Sequence, residues 1–279
     1  MKFQIKINSF DWNIEKFICK NINLKPPESY AKINKDKLDK IYLMIINKFS
    51  LSNNELLKEI ILSINANNMR NYILINHSRI IKLQNKIIDD YNKNPNILDL
   101  VKLYDGSPLN LLRIIFFKKY KVKITNIIKN LSILDPIDKT QLDIAIANDA
   151  YALVNQDEIL KNSIDFEKKI ENILIKKNIK FKTQEELANE QKKLEGFVSN
   201  TPDFLILDEF YINGIKINWI DAKNFYGINL KFVIKKIKFQ TKKYIDKWGS
   251  GAIIFNLGFN SKLNFNDILL IDFESFKDI

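Results

Sequence analysis

Through the first half of the chain, apolar residues recur at three- and four-residue spacing over Leu38–Phe49, Leu56–Ile64 and Ile80–Tyr91, which predicts amphipathic helices. Asn96–Tyr120 carries a sharper pattern. Ile97, Leu98, Leu100, Val101 and Tyr104 suit a short helix that stops at Gly106. Ser107 then offers an N-cap and Pro108 a first helical position, with Leu111, Leu112, Ile115 and Phe116 as the next apolar face. Two short helices joined by a tight turn fit a helix-turn-helix, and equally a plain helical hairpin within a bundle. In the first case Asn110, Arg113 and Lys118, on the second helix, are the candidates to reach nucleic acid.

The pattern changes after about residue 150. A helix over Asp157–Lys177 leads to a short strand at Ile179–Phe181 and two longer strands, Phe204–Leu207 and Ile215–Lys223. Asn213-Gly214 between the longer two is a hairpin signal, because both residues tolerate positive φ. A helix over Asn229–Trp248 ends at Gly249-Ser250-Gly251, and Ala252–Leu257 and Ile268–Ile271 close the series. The order predicts an α/β mixed sheet flanked by helices, preceded by an all-α region, with domains at 1–150 and 151–279.

Composition narrows the chemistry. The 279 residues are 46% hydrophobic and 28% charged, as in an ordinary folded protein. With no apolar run of membrane length and no leader, the expectation is an intracellular protein of nucleus or cytoplasm. A single cysteine, Cys19, excludes an internal disulfide, and with His77 as the one histidine there is no Cys/His zinc site. Catalysis would have to run on carboxylates, lysines, amides and hydroxyls.

The net charge of +11 rests on lysine far more than on arginine, which by itself is weak evidence for nucleic-acid binding. Its placement says more. Residues 1–150 carry a net +9 and residues 151–279 only +2. Yet within 231–247 seven lysines face one acid, Asp246. On that helix Val233, Ile237, Gln240, Tyr244 and Trp248 form an inward stripe, while Lys231, Lys235, Lys238 and Lys242 run down the other side.

Several polar residues fall where apolar ones belong. Alternation along Ile215–Lys223 puts Asp221 and Lys223 on one face. Asp203 opens the partner strand; strict two-residue-turn pairing would aim it at the opposite face, and a bulge or splayed end would bring it in. Glu167 lies on the stripe of Ser163, Ile170 and Leu174, and Gln240 on that of its own helix. Turning such groups inward costs free energy unless something binds them. A divalent ion on Asp203 and Asp221, with Glu167 nearby, would do so, and oxygen ligands suit Mg²⁺ or Mn²⁺. A lysine partner for Glu167 and a backbone-capping role for Gln240 are the structural alternatives.

Asp203 followed by Asp221-Ala222-Lys223 resembles the PD-(D/E)xK nuclease superfamily, with Glu167 as its first-helix acid and Gln240-x-x-x-Tyr244 as the motif after the lysine. Thr201-Pro202-Asp203-Phe204, Asn218-Trp219-Ile220-Asp221-Ala222-Lys223, Phe225-Tyr226-Gly227 and the run from Gln240 to Gly251 are similar to the codanin-interacting nuclease family, linked to congenital dyserythropoietic anaemia type I. The resemblance extends from about His77 to Leu263, with Asp221 where animal members carry Glu. It implies a restriction-endonuclease-like domain hydrolysing phosphodiesters, with DNA the favoured substrate, helix-turn-helix modules before it, and a codanin-like partner. Asp203, Asp221 and Glu167 would serve the metal, Lys223 the attacking water, and Gln240 and Tyr244 would position water or phosphate. A degenerate nuclease fold acting as a DNA-binding adaptor is the alternative.

Overall fold

A computed structural model describes residues 1–22, 30–31, 33–51, 55–151, 156–199 and 201–279, without the side chains of 156–159. In chain order the elements begin with β1 (Lys2–Phe3), α1 (Trp12–Asn21), α2 (Lys35–Phe49), α3 (Leu56–Lys82), α4 (Gln84–Lys93) and α5 (Ile97–Tyr104). Next come α6 (Pro108–Tyr120), α7 (Ile124–Lys129), α8 (Pro136–Asn148), α9 (Gln156–Lys176), β2 (Phe181–Thr183) and α10 (Gln184–Glu195). The chain ends with β3 (Phe204–Ile206), β4 (Tyr211–Ile212), β5 (Ile215–Lys216), β6 (Trp219–Lys223), α11 (Lys231–Trp248), β7 (Gly251–Phe255), β8 (Ile268–Asp272) and α12 (Phe273–Phe276). The fold is mixed α/β. Among the described residues no helix is long and apolar enough to cross a membrane.

Two compact units divide the chain, and the division is not the expected cut at residue 150. One unit comprises Met1–Phe17, Phe49–Ile64 and Gln156–Ile279; the other comprises Ile18–Lys48 and Asn65–Asn155. The reason lies in the N-terminal residues. β1 pairs in parallel with β4, and buried Glu15 accepts hydrogen bonds from the Tyr226 hydroxyl (2.8 Å) and Asn260 Nδ2 (2.6 Å). Burial lifts the Glu15 carboxyl above its ordinary pKa, and these donors oppose the shift.

In the sheet-bearing unit, a five-stranded sheet runs β2-β3-β6-β7-β8 and a three-stranded one runs β1-β4-β5. β2, β3 and β6 are antiparallel, while β6, β7 and β8 are parallel. A parallel step needs a crossover, and α11 supplies it between β6 and β7. Phe166, Ile170 and Leu174 of α9 share one core with Phe204, Ile220, Ala252 and Ile254. The other face of β6 meets α11, where Trp219 and Tyr244 pack edge to face at 5.3 Å.

Two expectations for this unit change. Asn213-Gly214 does make a tight turn at φ 50° and 79°, but it joins β4 to β5 in the small sheet. The expected strand Ile215–Lys223 is interrupted at 217–218, whereas Phe204–Leu207 forms β3 up to Ile206 and a non-strand stretch through Phe210 separates it from β4. There Ile217 N donates to Phe210 O (2.8 Å), and both side chains are buried in the core. The second change is α10, which was not expected. Thr183 and Glu186 close a reciprocal capping box at its start, and Gly196, at φ 76°, ends it.

The helical unit contains the expected hairpin. α5 ends with Asp105 in the left-handed region at φ 49°, and Ser107 caps α6 by accepting from Asn110 N. Pro108 stands at the first turn of α6, where no amide donor is needed. Leu111, Leu112, Ile115 and Phe116 join Val101, Tyr104 and Leu142 in the core. Asp138 is buried there, accepting from Tyr91 Oη (2.7 Å), Tyr120 Oη (2.6 Å) and Lys119 Nζ (2.7 Å).

Candidate active site

The site is built on the ladder between β3 and β6. Phe204 pairs with Ile220 and Leu205 with Trp219, so one further step sets Asp203 opposite Asp221. Directly opposed residues of an antiparallel pair share a face. The β4–β5 register, Tyr211 with Lys216 and Ile212 with Ile215, would instead continue to Asn224. The interruption therefore offsets the ladder by three residues. An odd offset flips the face, and it brings Asp203 in beside Asp221. The Ala222 N–H donates to Asp203 Oδ2 at 2.6 Å and fixes that carboxylate.

Asp221 is fully buried and Lys223 is 14% exposed at the side chain; the Lys223 ammonium lies against Asp221 Oδ2. Among the described residues that oxygen has no hydrogen bond of ordinary geometry, so the ammonium is its one neutralising neighbour. From α11, Gln240 joins the pair: its Nε2 donates to Asp221 Oδ1 (3.1 Å) and its Oε1 accepts from Lys223 Nζ (3.1 Å). Gln240 Nε2 also reaches the Tyr244 hydroxyl (3.1 Å), which donates to the Thr201 carbonyl (2.8 Å). The inward glutamine is thus satisfied by the site.

Electrostatics act strongly on Asp203. Burial and then the charge of Asp221 push the Asp203 carboxyl well above its ordinary pKa. Burial works against the Lys223 ammonium, but Asp221 and Asp203 outweigh it and raise its pKa. Glu167, partly buried on α9, is raised by burial and then by Asp221. Burial, followed by Asp221, likewise raises the Tyr244 hydroxyl.

Among the described residues, no three carboxylate, histidine or cysteine side chains form a ready cage for an ion. The donor set still fits a hard divalent cation in two respects. A carboxylate at the mouth of β3 is set opposite one on β6, and beyond the effect of burial Asp221 repels the charge of Asp203, a repulsion that a cation between them would relieve.

Six of the expected residues, Glu167, Asp203, Asp221, Lys223, Gln240 and Tyr244, belong to the sheet-bearing unit, and the last five are joined by the contacts above. Glu167 acts on Asp221 and Lys223 through its charge. Lys231, Lys235, Lys238 and Lys242 are exposed along α11. Arg113 and Lys118 are exposed on α6 of the helical unit, and Asn110 is partly buried there. Not foreseen were the Thr201 carbonyl, the Ala222 amide and Trp219, whose Nε1 donates to Gly249 O at 2.8 Å. Backbone partners leave no mark in residue types. Trp219, in contrast, was legible as a large apolar residue two before Asp221.

Comparison with known proteins adds context to this geometry. A protein family described as "Protein of unknown function TPD sequence-motif" matches residues 135–273, a stretch that contains Thr201-Pro202-Asp203. The uncharacterized protein L539 of Acanthamoeba polyphaga mimivirus is 35% identical over 154 residues, covering 53% of this chain and 54% of that one. CDAN1-interacting nuclease 1 of Mus musculus and that of Homo sapiens are each 25% identical over 184 residues, covering 62% of this chain and 63% of theirs. The matched region thus spans about half the length of the viral relative and under two thirds of the nucleases. No solved structure matches.

Proposed function

We propose that this chain is a divalent-metal-dependent nuclease of the PD-(D/E)xK, restriction-endonuclease-like kind, hydrolysing phosphodiester bonds of nucleic acid, with DNA the favoured substrate. The observation that carries the reading is the opposition of Asp203 and Asp221 across β3 and β6, with Lys223 against Asp221. The distant similarity to a named nuclease supports it. Asp203 and Asp221 would hold Mg²⁺ or Mn²⁺, with Glu167 beside them. Such an ion would supply a water of lowered pKa and neutralise phosphate charge. Lys223 would orient the attacking water and stabilise the negative charge that develops on the phosphate oxygens. Gln240 holds Lys223 and Asp221 in register, and Tyr244 anchors Gln240 to the Thr201 carbonyl. The exposed α11 lysines Lys231, Lys235, Lys238 and Lys242 track the nucleic-acid backbone. By analogy with the name of the mammalian relatives, a codanin-like protein is the proposed partner.

The test is cleavage of labelled duplex, single-stranded, flap and junction substrates with Mg²⁺ or Mn²⁺, using Asp221→Asn as control. Cleavage by the wild type and none by the variant is expected. A second reading, a binding adaptor on the same scaffold, is favoured by one observation: Lys223 and Gln240 between them engage both carboxylate oxygens of Asp221. Binding of these substrates without cleavage under any metal would establish that reading instead.

A further inference from the structure

We infer that the groove lined by α3, α4, α6 and α7 of the helical unit docks an acidic, amphipathic helix of a protein partner. The groove encloses about 600 Å³, within the range of ligand sites. Its apolar lining includes Ile81, Ile88, Ile114 and Phe117. Phe117 is 53% exposed and Ile81 38%, although α6 already has a complete core face in Leu111, Leu112, Ile115 and Phe116. Single exposed apolar side chains are ordinary on a protein surface, but several converging in one concavity mark a binding surface.

The charge around that lining selects the occupant. Among the described residues, Arg113, Lys118, Lys121 and Lys123 line the same groove, no acidic side chain does, and none of the four makes an ion pair. A partner must therefore bring negative charge to the rim and apolar groups to the floor. A helix with apolar anchors at i, i+3, i+4 and i+7 and carboxylates on its flanks brings both. A nucleic-acid strand brings the charge and a base to stack on Phe117, but nothing to cover three isoleucines. Arg113 and Lys118, candidates for nucleic acid on sequence grounds, are reassigned to this partner.

Display selection on the immobilised full chain, from random peptides of about 16 residues, tests the inference at a length that spans the four anchors. Enriched peptides should be acidic, with apolar residues at helical spacing. Their affinity, read by fluorescence anisotropy, should fall about tenfold or more in Phe117→Ser and in the Lys118→Glu/Lys121→Glu double variant. Those side chains are solvent-exposed, and circular dichroism checks that both variants keep the fold. An oligothymidine strand should bind the wild type and Phe117→Ser equally. The inference is overturned if enriched peptides lack acidic bias, if they bind the variants as well as the wild type, or if oligothymidine binding depends on Phe117. Cleavage is not read in this experiment, so its failure leaves the nuclease reading standing, and the reverse holds too.

Discussion

Asp203 faces Asp221 across β3 and β6, although the Asn213-Gly214 turn, followed without interruption, would set it against Asn224. A fully buried carboxylate and a partly buried one so placed repel one another. The protein tolerates this by clamping one on the Ala222 amide and neutralising the other with Lys223.

Burial of Asp203, together with that repulsion, makes metal-free stability depend on pH. Because the folded-state pKa of Asp203 is raised, its contribution to stability is full below the unfolded value of about 3.8 and is lost as pH rises through the folded value. At neutral pH the ionised pair therefore costs stability. Asp203→Asn, which keeps an acceptor for the Ala222 amide, should melt higher than the wild type in chelator at pH 7. Below about pH 4 the difference should vanish. Equal melting curves at pH 7 would show that Asp203 is unstrained.

Metal binding should act on the same pair. Mn²⁺ or Mg²⁺ should raise the melting temperature of the wild type and raise it much less in Asp221→Asn, because ligand bound to the native state alone stabilises it by mass action. Thermal scans at several metal concentrations read this directly. Parallel shifts in the two proteins would remove Asp221 from the ligand set.

Lys223 separates structure from chemistry. Lys223→Ala should slow single-turnover cleavage by about 10² or more, the usual scale for losing a positioned proton-transfer or charge-stabilising group. Lys223→Arg keeps the charge but replaces a compact ammonium with a planar fork, so it should restore the ion pair and not the rate. An arginine variant that cleaves near the wild-type rate would make Lys223 a salt-bridge residue only.

The α11 lysines should show in the salt dependence of binding. Removing Lys231, Lys235, Lys238 and Lys242 should flatten the log–log plot of affinity against salt by about 0.9 for each duplex phosphate that is no longer neutralised. An unchanged slope would place the nucleic-acid track elsewhere.

Strong periodicity made much of the fold legible. The helix expected at Asp157–Lys177 is α9 at Gln156–Lys176, and α11 begins two residues inside its expected start. Where apolar spacing was poor, it was silent: α10 buries Leu187 but exposes Leu194, so only its capping box and terminal glycine announced it. The single helix expected over Ile80–Tyr91 breaks at Leu83, where no proline or glycine stands. At the site, alternation placed Asp221 and Lys223 together, whereas Asp203 remained open. Its position depends on how Phe210 and Ile217 pack in the core, a tertiary contact that a turn motif cannot encode. Glu15 was invisible for the same reason, since its partners Tyr226 and Asn260 lie over two hundred residues away.

Gly251 packs so tightly beneath Trp219 that a single methyl group would overlap the indole ring. Above it stand Tyr244, on the indole edge, then Gln240, then Asp221. The chemistry therefore rests on a masonry course whose lowest stone has no side chain at all. Selection on this protein should guard a residue that touches neither acid nor substrate as strictly as it guards the acids. An inventory of reactive groups would pass it over, and a census of available volume would find it first.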